Sequence, residues 1–198
     1  MRAPVTLAST SKARRALLEG AGVTFEAVDS GLDEEITKAW LKDQGAWPRR
    51  IAEALAEAKA LKASEGRPGL VIGADQTLEF ETGLYDKVAT TDAARERLKL
   101  LRGKPHQLHS AVVVAQNGTA IWRDRVSATL TMRDFSDAFL EDYLAAEGEA
   151  ALGSVGCYRL EGPGAQLFSR IEGDYFAILG LPLLGLLDFL REQGALAQ

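Results

Sequence analysis

The chain has a single cysteine, Cys157, so no internal disulfide can form and burial must hold the fold together. Histidine is almost as scarce. His106 and His109 are the only two, and side chains three apart on a strand point to opposite faces. A zinc site there would lack the four soft or imidazole ligands that such sites use. Cys157 has no histidine at a fixed motif spacing and reads as a small apolar filler rather than a nucleophile. Positive charge is in deficit as well: 23 Lys and Arg stand against 28 Asp and Glu, a net charge of −5. The basic residues are dispersed, which argues against a general nucleic-acid binder. No apolar run approaches the roughly 20 residues needed to span a bilayer; even ILGLPLLGLL, residues 178 to 187, stops short. The opening MRAPVTLAST lacks the charged-then-apolar layout of a secretory signal. With one cysteine, this makes the cytoplasm the expected location and a membrane partner unexpected. There is no G-x-x-x-x-G-K-[ST] phosphate loop, and Gly162 and Gly164 lack the third glycine and flanking elements of a dinucleotide fingerprint.

What is present is the composition of a globular protein: 46% hydrophobic and 26% charged over 198 residues. That length fits one domain, or two lobes sharing a core, and needs no metal staple. Strands and helices alternate in the first half. Residues 4 to 8 read as a buried strand, and Ser11 caps a helix with Leu17, Leu18 and Ala21 at helical spacing. A strand is expected over 24 to 30, then a polar turn into Asp33 and Glu34. Pro48 opens a helix in which Ile51, Leu55, Ala58 and Leu61 share a face, ending near Gly66. LVIGAD, residues 70 to 75, is a strand, followed by a hairpin through Thr82 and Gly83. Thr91 is expected to cap a helix that stops at Gly103.

The second half opens on a hairpin at Asn117-Gly118. After it, Val126, Ala128, Leu130 and Met132 alternate with polar residues as on a strand with one buried face. Ser136 caps a helix closed by Gly148. A glycine-rich stretch follows over 153 to 168, then a strand-like run at 175 to 179, and a last helix from Pro182 to about Gln193. With no repeat or low-complexity linker, residues 1 to 198 read as one domain of mixed α/β class.

Candidate chemistry collects at element ends. Asp75 closes the strand LVIGAD, and ligands of α/β sheets bind at the carboxyl ends of strands; a turn former or helix cap is the alternative. Glu34 and Asp33 sit in a polar turn, which a solvated acidic loop would also explain. Lys59 lies beside an apolar helical stripe and could equally be a snorkelling lysine. Lys87 follows the hairpin and could be a surface residue. Arg14 and Arg15 open a helix, where the dipole disfavours cations, a placement that hints at an anionic ligand. Two carboxylates with three or more cations suit a polyphosphate. A nucleoside triphosphate carries about four negative charges and travels with a hard divalent cation.

The same residues carry a family resemblance. LASTSKARR at residues 7 to 15, LDE with Glu34, AEAKA with Lys59, GAD with Asp75 and the lysine after the hairpin resemble, in order, motifs of the Maf family of nucleotide pyrophosphatases. LRGKPH (101 to 106), FSDAFLEDYLAAEGE (135 to 149), GSVGCYRLEGPG and GDYFAILGLPL (173 to 183) extend the likeness over almost the whole chain. The resemblance implies a mixed central sheet with flanking helices, in two lobes around a deep cleft. It implies hydrolysis of a nucleoside triphosphate to the monophosphate and pyrophosphate, in nucleotide-pool housecleaning. Asp75 would then be the general base and a metal ligand with Glu34 for Mg²⁺ or Mn²⁺. Lys59 and Lys87 would line the phosphate site, and Ser9, Ser11 and Arg14 would bind phosphate. The implied partner is the nucleotide and not nucleic acid, and a homodimer is compatible with it.

Several positions depart from the family's common pattern. Lys12 and Ala13 precede the arginines, Lys87 is followed by Val88, residues 153 to 156 are GSVG, Gln76 replaces threonine and Glu161 replaces glutamine. Gln76, Glu161 and the shifted arginines resemble the 7-methyl-GTP pyrophosphatase branch more than the dTTP/UTP branch. Glu161 could accept from the N1–H and exocyclic amine of guanine and attract a cationic methylated base. Ala13 is small where that branch often has an aromatic residue, so it would make a different contact with the base.

Overall fold

Seven strands share one mixed sheet in the computed structural model, which describes residues 3 to 197. In chain order the elements are β1 (Val5–Ala8), α1 (Lys12–Gly20), β2 (Glu26–Val28), α2 (Glu34–Asp43), α3 (Pro48–Ser64), β3 (Leu70–Phe80), β4 (Gly83–Tyr85) and α4 (Thr91–Leu101). Next come β5 (Pro105–Gln116), β6 (Thr119–Met132), α5 (Asp137–Glu147), two 3₁₀ turns, β7 (Phe168–Glu172), α6 (Tyr175–Ile178) and α7 (Leu183–Glu192). The strand order is β2-β1-β3-β5-β6-β7, with β4 added to β3. β1 runs parallel to both β2 and β3, whereas β4 on β3 and β7 on β6 are antiparallel. Among the described residues no helix is long and apolar enough to cross a membrane.

The chain forms two compact units. The first takes residues up to Gln76, His109–Val126 and the chain from Asp174 on. Its strands β1 and β3 are near-continuous apolar runs because both of their faces are covered. β5 shows how: Val112 and Val114 join Leu7, Leu18, Ile72, Leu186 and Leu190 on one side, while Ala111, Val113 and Ala115 meet Ala52, Ala56 and Ala60 of α3 on the other. The period of two along the strand divides these sets between the faces. Alanine on α3 lets that helix lie close to the sheet, and Gly73 completes the approach. A Cβ at Gly73 would overlap the Ala56 carbonyl oxygen, stand 2.5 Å from the Ala60 nitrogen and 2.9 Å from the Ala60 Cβ.

The second unit takes Thr77–Leu108 and Ser127–Gly173. Phe80, Leu98, Leu101, Leu130, Met132, Phe135 and Leu140 are buried in it. Between α4 and α5, Arg95 contacts Glu141 at 2.6 Å and Arg102 contacts Asp137 at 2.6 Å. His106 is buried here, with Nε2 2.7 Å from the Tyr158 hydroxyl. Burial lowers its pKa to about 4. Cys157 is buried and free, and desolvation pushes its thiol up to about 11, in keeping with an inert filler.

Four local expectations change. Glu34 opens the helix α2, capped by Asp33, whose carboxylate accepts from the Ile36 N–H at 3.0 Å. The helix escaped detection because Leu41 is its one buried residue while Ile36 and Trp40 are exposed, so its apolar spacing marks no core face. Residues 175 to 178 form a helical turn, not a strand: Asp174 caps it, accepting from the Ala177 N–H at 2.7 Å. The α4 cap is Thr90, one residue earlier than Thr91. Strand β3 continues to Phe80, so Asp75 lies inside it and not at its end.

Candidate active site

Helix α3 buries a stripe made of Ile51, Ala52, Leu55, Ala56, Lys59 and Ala60. Lys59 therefore lies within the stripe rather than beside it, and it is only 4% exposed. An ammonium taken out of water must be paired or neutralised. Here its Nζ lies 2.7 Å from Asp75 Oδ1 and 2.8 Å from Glu34 Oε2. Three elements converge on that nitrogen: α3 supplies it, β3 supplies Asp75, and the first residue of α2 supplies Glu34. Asp75 sits two residues past Gly73, the last β3 position paired with β1. Although it is inside a longer strand, it thus occupies the carboxyl end of the parallel portion, where the neighbouring strand has stopped. Lys62, three residues after Lys59 on α3, donates to the Gly31 carbonyl oxygen and ties down the loop before α2.

Arg14 forms the second part of the site. Ser11 caps α1, its Oγ accepting from the Arg14 N–H at 3.4 Å, and the Ser11 N–H donates to Ser9 Oγ at 3.2 Å. The side chain of Arg14 folds back into the unit and is 9% exposed. Its Nε–H donates to the Gly180 carbonyl at 2.8 Å and Nη1 to Ser9 Oγ at 3.3 Å. Burial lowers the guanidinium's pKa, opposed by the negative charges of Asp75 and Glu34, and it stays cationic because no protein environment deprotonates it readily. No carboxylate among the described residues contacts it, so N–H donors remain beyond the two in use. Ser9 Oγ accepts twice, which leaves its own O–H to donate. Ala13 is half-buried, and Lys12 and Arg15 are exposed.

Charge balances across the set: Asp75 and Glu34 offset Lys59 and Arg14. Cations of this kind can hold phosphate oxygens, and α1 presents its first-turn N–H groups nearby in sequence. Asp75 Oδ1 and Glu34 Oε2 both lie against the Lys59 ammonium, so two carboxylates converge on one point of the unit. Among the described residues no group of three or more acidic, histidine or cysteine side chains is arranged to hold a metal. Two carboxylates fit Mg²⁺ or Mn²⁺ that draws its other ligands from water and phosphate oxygens.

Gln76, the next residue along, is engaged by the protein. Its Nε2 lies 2.9 Å from Ser110 Oγ and 3.0 Å from the carbonyl oxygens of both Ala177 and Ile178. Ser110 and Gly180 are site neighbours that sequence reading missed. Ser110 bonds to Ala177, 67 positions away, a separation that leaves no local signal, and Gly180 could be noticed only as a glycine just before the Leu-Pro that opens α7. Lys87 follows β4 in the second unit. Glu161 belongs to that unit too, where Arg159 Nε contacts it at 3.3 Å, and Arg159 also reaches the buried Glu147 at 3.5 Å.

A family model described as Maf-like protein matches residues 4–193. A Caulobacter vibrioides protein named nucleoside triphosphate pyrophosphatase is 61% identical over 193 residues, 98% of this chain and 97% of the relative. One with the same name from Hyphomonas neptunium is 51% identical over 191 residues, 96% of each chain. A Brucella abortus protein named 7-methyl-GTP pyrophosphatase is 47% identical over 194 residues, 98% of each chain.

Proposed function

The chain belongs to the Maf-like family, and from that premise we propose that it is a nucleoside triphosphate pyrophosphatase that releases pyrophosphate and leaves the monophosphate. The observation that carries this reading is Lys59, buried between Asp75 and Glu34 in the same unit as a buried Arg14 that no carboxylate among the described residues contacts. In this reading the Arg14 guanidinium, the Ser9 hydroxyl and the start of α1 bind the triphosphate. A Mg²⁺ or Mn²⁺ ion accompanying the nucleotide, held by Asp75 and Glu34, would screen the charge of the departing pyrophosphate. Lys59 holds Asp75 Oδ1 and leaves Oδ2 for a water molecule. Asp75 takes that water's proton as its oxygen attacks the α-phosphorus and the bond to the β-phosphate oxygen breaks. Lys59 and Lys87 are assigned to the phosphates, where positive charge stabilises the transition state.

For the base we propose a preference for 7-methyl-GTP. Glu161 can accept from two donors on the guanine edge and attract the cationic ring, whereas uracil and thymine offer one donor and two acceptors. The relatives with that name support the preference. The deciding assay is pyrophosphate release from 7-methyl-GTP, GTP, CTP, UTP and dTTP with Mg²⁺ or Mn²⁺. Asp75→Asn should lower turnover by about 10² to 10⁴-fold, the usual worth of a positioned base, assayed below the melting temperature of the variant because Lys59 then keeps only Glu34 as its charged partner. Parental turnover in that variant removes Asp75 from its role. Glu161→Gln should narrow the gap between 7-methyl-GTP and UTP, and an unchanged ranking of substrates refutes the base assignment.

A further inference from the structure

Arg14 is aimed by a backbone carbonyl, so its direction depends on whatever fixes that carbonyl. Gly180 accepts the Nε–H at 2.8 Å and has φ +97, where side chains are strained. A Cβ at Gly180 would also stand 3.4 Å from Arg14 Nε and 3.6 Å from Nη2. The Gly180 N–H in turn donates to the Ala177 carbonyl at 2.9 Å. That same carbonyl receives the Ser110 hydroxyl at 2.7 Å and Gln76 Nε2 at 3.0 Å, and Gln76 also reaches the Ile178 carbonyl at 3.0 Å. α6 spans only four residues, too few to be stable by helix formation alone, and its C-terminal carbonyls need outside donors. A continuous series of hydrogen bonds therefore runs from β3 and β5 through the turn after α6 to the guanidinium. Two carbonyls that can only accept fix which end of the Gln76 amide points at them. The amide nitrogen has two hydrogens and three acceptors within reach, so none is left over for a ligand.

We propose that Gln76 and Ser110 are positioning residues for Arg14, acting through Ala177 and Gly180, and that they govern affinity for the phosphate chain and not choice of base. This rests on the reading that Arg14 binds phosphate. Threonine at position 76 would be too short to reach both carbonyls, so the glutamine at this position is explained by the turn it holds.

The test is calorimetric binding of inorganic tripolyphosphate, which has no base, together with turnover on the triphosphate panel. Gln76→Met keeps the side-chain length and removes the donors. It should weaken tripolyphosphate binding by about tenfold, within the range of losing one hydrogen bond to a charged group's support. It should raise KM alike for every triphosphate and leave their ranking unchanged. In an Arg14→Met background it should cost nothing further, since coupled residues are non-additive. Ser110→Ala should give the same pattern more weakly, and Gly180→Ala the same pattern at least as strongly. These two variants carry the test if Gln76→Met melts below the assay temperature. Additive losses in the Gln76→Met, Arg14→Met pair overturn the proposal, as does a reordered substrate ranking with tripolyphosphate affinity intact. A parent that hydrolyses triphosphates but binds tripolyphosphate equally well with Arg14→Met also overturns it while leaving the pyrophosphatase reading standing. A parent that hydrolyses none of them refutes that reading instead, and the binding cycle still decides the positioning.

Discussion

Replacing Gly73 with alanine should damage stability and turnover together, because one glycine sets the spacing between β3 and α3. A Cβ there would overlap the Ala56 carbonyl and come within 2.5 Å of the Ala60 nitrogen, both backbone atoms of α3. Neither can turn aside as a side chain would, so the helix must move outward. Overpacking of this kind costs about 1 to 3 kcal/mol. For a chain of this size that corresponds to roughly 2 to 4 °C in Tm for each kcal/mol. The chemical effect should be larger. Lys59 lies on α3 one residue before Ala60, and Asp75 on β3 two residues after Gly73, with 2.7 Å between their charged atoms. A displacement of about 1 Å at a reacting group can cost on the order of 10²-fold in rate. Melting curves and initial rates of pyrophosphate release measure the two effects on one sample. The double variant Gly73→Ala, Ala60→Gly sharpens the prediction: trimming Ala60 removes its Cβ contact at 2.9 Å but leaves the tighter backbone overlaps, so it should not restore either quantity. Parental Tm and turnover in Gly73→Ala, or full rescue by Ala60→Gly, would refute the reasoning.

Lys59→Met should lose turnover severely and destabilise by about 3 to 5 kcal/mol, the cost of leaving a buried charge without its partner; denaturant unfolding measures it, and Glu34, half exposed, should relax into water where Asp75 cannot. Phe135, fully buried in the second unit, should cost about 3 to 5 kcal/mol on truncation to alanine, read as a lowered denaturant midpoint. His106 predicts a pH effect. Its pKa falls from 6.5 in the unfolded chain to about 4 in the fold through burial, so between those values the unfolded chain binds the extra proton and stability drops as pH falls. The fall in unfolding free energy between pH 7 and 4.5 should therefore be shallower in His106→Phe than in the parent; equal slopes would show that His106 does not carry the effect.

Much of this protein was legible in the order of its residues. LASTSKARR could be read as a strand, a serine cap and misplaced cations because each feature is local: the cap bonds three residues on, and a cation in the first turn opposes the dipole at that spot. LVIGAD showed itself as a strand by its unbroken apolar run, and Asn117-Gly118 marked its hairpin by turn chemistry alone. Other features were hidden because their physics is not local. α2 has one buried residue and shows apolar side chains to solvent, so periodicity could not separate it from a turn. YFAIL has the composition of a strand, and only the Asp174 cap and its packing make it helical.

The candidate site divides the same way. Residue types and order by themselves determined that the chain can form no internal disulfide and carries no P-loop motif, that it is a mixed α/β protein, and that carboxylates and cations stand in the short motifs LASTSKARR, LDE, AEAKA and GAD. They could not show that Lys59 is buried, since that depends on how closely α3 approaches the sheet, and the approach depends on glycine at position 73 and alanines from two other elements. Nor could they show that Gln76 grips a turn about a hundred residues away. The tertiary structure alone decided these points, because a buried charge finds its partners through space, and hydrogen bonds between distant segments exist only once the sheet has brought those segments together.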